Sequence, residues 1–154
     1  MSISVFNLFS IGIGPSSSHT VGPMRAAQAF AANLAEQAIQ RVEIELFGSL
    51  ALTGKGHGTD VAVLLGLEGE KPETIDPNQV ALSLSKIRER HQLNFNGNKL
   101  IEFIEARDLH WHRDQLLPLH TNGLRFSAWT EDNKLAGAQI YYSIGGGFII
   151  TPEE

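Results

Sequence analysis

Ser16-Ser17-Ser18-His19-Thr20 stands between Gly14-Pro15 and Val21-Gly22-Pro23, and an alanine-rich run with helical spacing follows at once. Hydroxyls and backbone N–H groups gathered at the start of a helix suit a small anion such as a carboxylate. Ser16, Ser17, Ser18, His19 and Thr20 are therefore candidate binding residues. The plainer reading is a serine-rich loop with a capping threonine. A second polar stretch runs Thr53-Gly54-Lys55-Gly56-His57-Gly58-Thr59-Asp60. It is not a Walker phosphate loop: five residues separate Gly48 from Gly54, and Gly56 stands where Ser or Thr belongs. A histidine between two glycines has little side-chain packing nearby, which predicts an exposed ring or one in a cleft. Histidine is the usual general base near neutral pH, so His57 is a candidate base and Lys55 a candidate binding residue. The alternative is a surface-loop histidine.

Leu119-His120-Thr121-Asn122-Gly123 offers His120 and Asn122 just before a strand, a pair able to bind a carboxylate or an amine; Asn-Gly alone means only a turn. Tyr141-Tyr142-Ser143-Ile144-Gly145-Gly146-Gly147 permits close backbone approach, or simply a bulge. His110-Trp111-His112 puts two imidazoles on one strand face, with Asp108 and Asp114 nearby. No further ligand set is evident, and an exposed strand edge is the better reading than a metal site.

These residues need elements to hold them. Ala27, Phe30, Ala31, Leu34, Ala35 and Ala38 predict a helix over 24–39, with Thr20 as N-cap and Pro23 in the first turn. Val42 to Phe47 alternates apolar and charged residues, the pattern of a half-buried strand. A Gly54–Gly58 loop follows, then a short helix capped by Thr59 or Asp60 and ended by Gly66. Val80, Leu84 and Ile87 predict a third helix over 78–90. Period-two patterning then predicts strands over 100–104, 124–129, 135–143 and 148–151. The expectation is one α+β domain of about three helices and a mostly antiparallel sheet.

The chain has 154 residues, 42% hydrophobic and 19% charged, with a net charge of -5 and no cysteine. It is long enough to bury a core. The acidic balance argues against nucleic acid as the main partner. No apolar run is long enough to cross a bilayer, and no basic n-region precedes a leader, so a cytoplasmic location and no membrane partner are expected. Disulfides and thiolate ligands are excluded within this sequence.

The four motifs together resemble the N-terminal β domain of bacterial iron–sulfur L-serine dehydratase, also called L-serine ammonia-lyase. The resemblance rests on residues 9–27, on Gly48-Ser49-Leu50-Ala51-Leu52-Thr53-Gly54-Lys55-Gly56-His57-Gly58-Thr59-Asp60, on residues 117–126 and on residues 141–149. It implies a lyase that converts L-serine to pyruvate and ammonia. It implies a [4Fe-4S] cluster held by cysteines of a separate α domain, on the same native chain or another subunit. It places His57, His120 and Asn122 at the catalytic interface, with the serine loop close by. It also implies a fold similar to the allosteric substrate-binding domain of some D-3-phosphoglycerate dehydrogenases, and homodimers. The expected partners are thus L-serine and the cluster-bearing domain, and this piece alone is expected to be inactive. Two other readings stay open: an allosteric L-serine-binding and dimerisation module without catalytic residues, and a scaffold whose loops only pack on the α domain.

Overall fold

The computed structural model describes residues 17–153. A π-helical turn, Ser17–Val21, runs directly into α1, Gly22–Asn33. Strand β1, Ile39–Phe47, leads into α2, Gly48–His57, and α3, Thr59–Leu67. Helix α4, Pro77–Arg90, is followed by a hairpin of β2, Gln92–Phe95, and β3, Lys99–Glu102. A single turn, α5, Glu105–Asp108, enters β4, Leu109–His112. Strands β5, Gly123–Thr130, β6, Leu135–Gly145, and β7, Phe148–Ile150, complete the fold. The fold is α+β with a mostly antiparallel sheet, as the sequence predicts, but the described residues hold five α-helices rather than three.

The main sheet has the order β4-β1-β5-β6-β7. Only β4 runs parallel to its neighbour, with Ile44 opposite Leu109 and Phe47 opposite His112. In β1 the alternation sorts the faces. Val42, Ile44 and Leu46 are fully buried against the helices. Glu43 and Glu45 point the other way and pair with Arg41 and Arg125. The core joins Ala27, Phe30 and Ala31 of α1 to Phe126 and Tyr141 of the sheet. Phe30 stacks on Phe126 at 5.3 Å, and burying each such ring contributes roughly 1.5–3 kcal/mol.

Three local expectations fail for tertiary reasons. Helix α1 ends at Asn33, not near residue 39. Residues 34–37 turn instead, and Ile39, fully buried, joins the sheet opposite Thr130. The Gly54–Gly58 segment is not a loop but the last turns of α2, with Gly58 alone left-handed at φ 74° as the shared cap. Gly66 does not end a helix. It lies inside α3 where a Cβ would stand 2.4 Å from the Met24 carbonyl and 2.7 Å from Ala27 Cβ. It is what lets α3 touch the backbone of α1. Strands β2 and β4 escape the period-two reading; β2 is held by the Asn96-Gly97 turn, both residues at positive φ, the geometry of a tight hairpin.

These packing differences separate two glycines of the same sequence. Gly66→Ala forces the α1–α3 contact apart and is expected to lower stability by about 1–3 kcal/mol. Gly56, with nothing within 4 Å of its missing Cβ, is expected to gain up to about 1 kcal/mol as alanine through helix propensity. Urea denaturation midpoints of the two variants should move in opposite directions.

Candidate functional site

The π-turn and α2 meet along one seam, and threonine hydroxyls close it from both sides. Thr20 Oγ1 donates to the His57 carbonyl at 2.8 Å. Thr59 Oγ1 donates to the His19 carbonyl. Both threonines are fully buried. The His57 carbonyl ends α2 and has no helical partner of its own, so Thr20 supplies one. Thr20 is therefore not an N-cap: Val21 holds that position in helical geometry with no side-chain cap.

This lacing brings the His19 and His57 rings to 4.9 Å between centroids. The His19 ring is fixed at both nitrogens, with Ser18 Oγ 2.9 Å from Nδ1 and Ser49 Oγ 3.0 Å from Nε2. Burial pushes its pKa below 6.5, and the neighbouring His57 adds to this, against an opposing contribution from hydrogen bonding to Ser49. No hydrogen bond engages the His57 ring nitrogens among the described residues; its ring contact is with His19. Among the described residues the His19 ring is thus held at both nitrogens, while the half-buried His57 ring keeps only its contact with His19.

A second strand of the site comes from the segment before β5. Gly48 N–H donates to the Gln115 carbonyl at 2.9 Å, and Ser49 N–H to Thr121 O and Oγ1 at 3.1 and 3.0 Å. Gly48 sits at φ 56°, and a Cβ there would lie 2.3 Å from Thr121 O. The close approach seats Thr121 on the first turn of α2, with His120 and Asn122 on either side. Asn122 N–H donates to His120 Nδ1 at 3.0 Å, so the neutral His120 ring carries its proton on Nε2. Asn122 Nδ2 donates to the Ser143 carbonyl at 3.2 Å. Among the described residues Asn122 Oδ1 and Ser143 Oγ are buried with no hydrogen-bond partner, an arrangement that costs free energy until one arrives.

Of the residues singled out from the sequence, Ser17, Ser18, His19, Thr20 and His57 come together, and His120 and Asn122 are tied to the same helix. Ser16 lies outside the described residues. Lys55 is exposed and stands two residues before His57, about 200° round the helix, so it does not share the histidine face. Sequence reasoning missed Ser49, Thr59, Thr121 and Ser143 as parts of the site. Ser49, Thr53 and His57 do repeat at i, i+4 and i+8, a readable stripe once the segment is known to be helical. His110 and His112 do lie on an exposed sheet edge, bonded to Glu43 and Glu45 at 3.2 and 3.0 Å.

The sequence has counterparts among known proteins. A family model described as serine dehydratase beta chain matches residues 4–154. The chain belongs to the serine dehydratase beta chain family. An L-serine dehydratase of Streptomyces coelicolor is 46% identical over 99% of the chain. L-serine dehydratase 1 of Escherichia coli is 42% identical over 98%, and an L-serine dehydratase of Haemophilus influenzae 40% over 96%. The chain spans about a third of the length of these relatives, 34%, 34% and 33% respectively.

Two outcomes test the seam. Thr20→Val keeps the shape but strands the His57 carbonyl, and is expected to cost about 1–3 kcal/mol by chemical denaturation. Separately, the folded His19 pKa lies below 6.5, so between the two values the unfolded chain holds more protons. That stability is fully present above 6.5 and is lost as pH falls through the folded value. Denaturation midpoints should drop on acidification from about pH 7 to 5, and His19→Gln should flatten the slope.

Proposed function

We propose that this chain supplies the substrate-binding and proton-accepting side of an L-serine ammonia-lyase site, completed by a separate cluster-bearing α domain. The observation that carries the reading is the pairing of a held, neutral-biased His19 with an open His57. Converting L-serine to pyruvate and ammonia begins with removal of the α-proton and loss of the β-hydroxyl as water. The enamine then becomes an imine that water hydrolyses. His57 has the lone pair and the access to take the α-proton. The Ser17–Val21 turn at the head of α1 brings backbone N–H groups and the Ser17 hydroxyl to a carboxylate, and the Nε2–H of His120 adds another donor. Asn122 Oδ1, an acceptor with no partner among the described residues, suits the substrate ammonium.

The cluster does not fit within this chain. The sequence has no cysteine, and no three His, Asp or Glu residues gather to hold a metal ion among the described residues. Lewis-acid help for the departing hydroxyl is the chemistry that a [4Fe-4S] cluster on the α domain would supply. The rim supports a composite site: Leu52, Leu116 and Leu119 are 63%, 72% and 58% exposed beside Ser49 and Thr121. They form apolar ground for a partner surface.

The test is His57→Ala in the complete enzyme. The reading expects kcat to fall roughly 10²–10⁴-fold with the cluster absorption unchanged. A regulatory module would instead show altered serine cooperativity at an unchanged maximal rate, and that result would overturn the reading.

A further inference from the structure

We propose that Ser49 is a positioning residue that acts through His19, holding that ring against His57 so that His57 meets the substrate in one orientation. The inference rests on the site reading above and assigns the residue on which it turns. Three separate elements converge on Ser49. Its N–H donates to Thr121 of the segment before β5, and its carbonyl accepts from Thr53 Oγ1 at 2.9 Å within α2. Its hydroxyl lies 3.0 Å from His19 Nε2 on the π-turn. Only the last of these uses the side chain. The first two are backbone groups and survive any replacement that keeps the helix.

The geometry explains why a hydroxyl is needed there. Neutral imidazole has one N–H and one lone pair, and the two flanking groups, Ser18 Oγ and Ser49 Oγ, are both able to donate or accept. Together they fix the plane and height of the ring without fixing a charge. His57 is eight residues after Ser49, about 12 Å along the axis, but helical side chains lean toward the N-terminus. His19 fills the space between them, contacting Ser49 by hydrogen bond and His57 ring to ring at 4.9 Å. Without the Ser49 hydroxyl, the Nε2 end of the ring loses its hydrogen bond to α2, and the surface against which His57 rests loosens.

Ser49→Ala removes that one contact while placing a strong helix former in α2. In the complete, cluster-loaded enzyme, kcat is expected to fall about 10–100-fold, as small misplacements at a reacting centre do, with KM changed less than about twofold. Ser49→Thr, which restores a hydroxyl, should recover most of the rate. The decisive measurement is the double-mutant cycle: Ser49→Ala combined with His19→Ala should be no slower than His19→Ala alone. Additive losses, or failure of threonine to rescue, would overturn the positioning role and leave Ser49 as part of the helix start. Unchanged kcat in Ser49→Ala with a slow His57→Ala would reject this inference alone. Unchanged kcat in both His19→Ala and His57→Ala would reject the site reading beneath it.

Discussion

A carbonyl at the end of a helix has no partner inside that helix, and a buried one must find a partner elsewhere. That requirement arises at the end of α2, and a second, reciprocal bond crosses the same seam. Thr20 serves the carbonyl of His57, and Thr59 serves the carbonyl of His19. Each histidine is thus anchored through its own backbone by a threonine on the opposite segment. The rings have only their side-chain torsions left to vary, and Ser18 and Ser49 remove most of that freedom for His19. A net hydrogen bond contributes only about 0.5–1.5 kcal/mol, but losing one here strands a part-buried acceptor and costs more. The site depends on this seam more than on any single imidazole.

The rest of the architecture brings the seam together. Helices α1 and α3 touch through Gly66, which sets the π-turn at the head of α1 against the start of α3. The sheet supplies the floor, with Phe126 and Tyr141 beneath α1. Its opposite face is charged. Burial pushes the Glu45 carboxyl up, but hydrogen bonds from Arg125 and His112 outweigh that and hold it below 4.5. His112 also stacks on Phe47 at 4.8 Å, and so covers an aromatic ring that the outer face would otherwise expose.

The candidate chemistry was legible early because it was written in local clusters. Serines beside a histidine, and a histidine between glycines, are unusual in composition whatever fold they enter. The wrong element around His57 has a simple cause. Glycines lower helix propensity, and Gly54-Lys55-Gly56 reads as a loop when propensity is the only information. The buried Thr59 beside Gly54 and the packing of Leu50 and Ala51 in the core outweigh that preference. The strand character of His110-Trp111-His112 was readable, but not its partner: β4 pairs with β1, more than sixty residues earlier, in a parallel register that no local period records.

The amino-acid sequence alone determined the α+β class, the apolar face of β1, helix α4 from residue 78 onward, and the residue types of the site. All of these follow from periodicity and side-chain chemistry within a few residues. The tertiary structure alone decided which of those residues act together. It paired His19 with His57, seated Thr121 on α2, turned Thr20 from a cap into a clamp and set Lys55 apart. It also showed Ser49, an ordinary serine in sequence, to be the meeting point of three elements. Hydrogen bonds between segments thirty to seventy residues apart carry these decisions, and their partners are fixed only when the core closes.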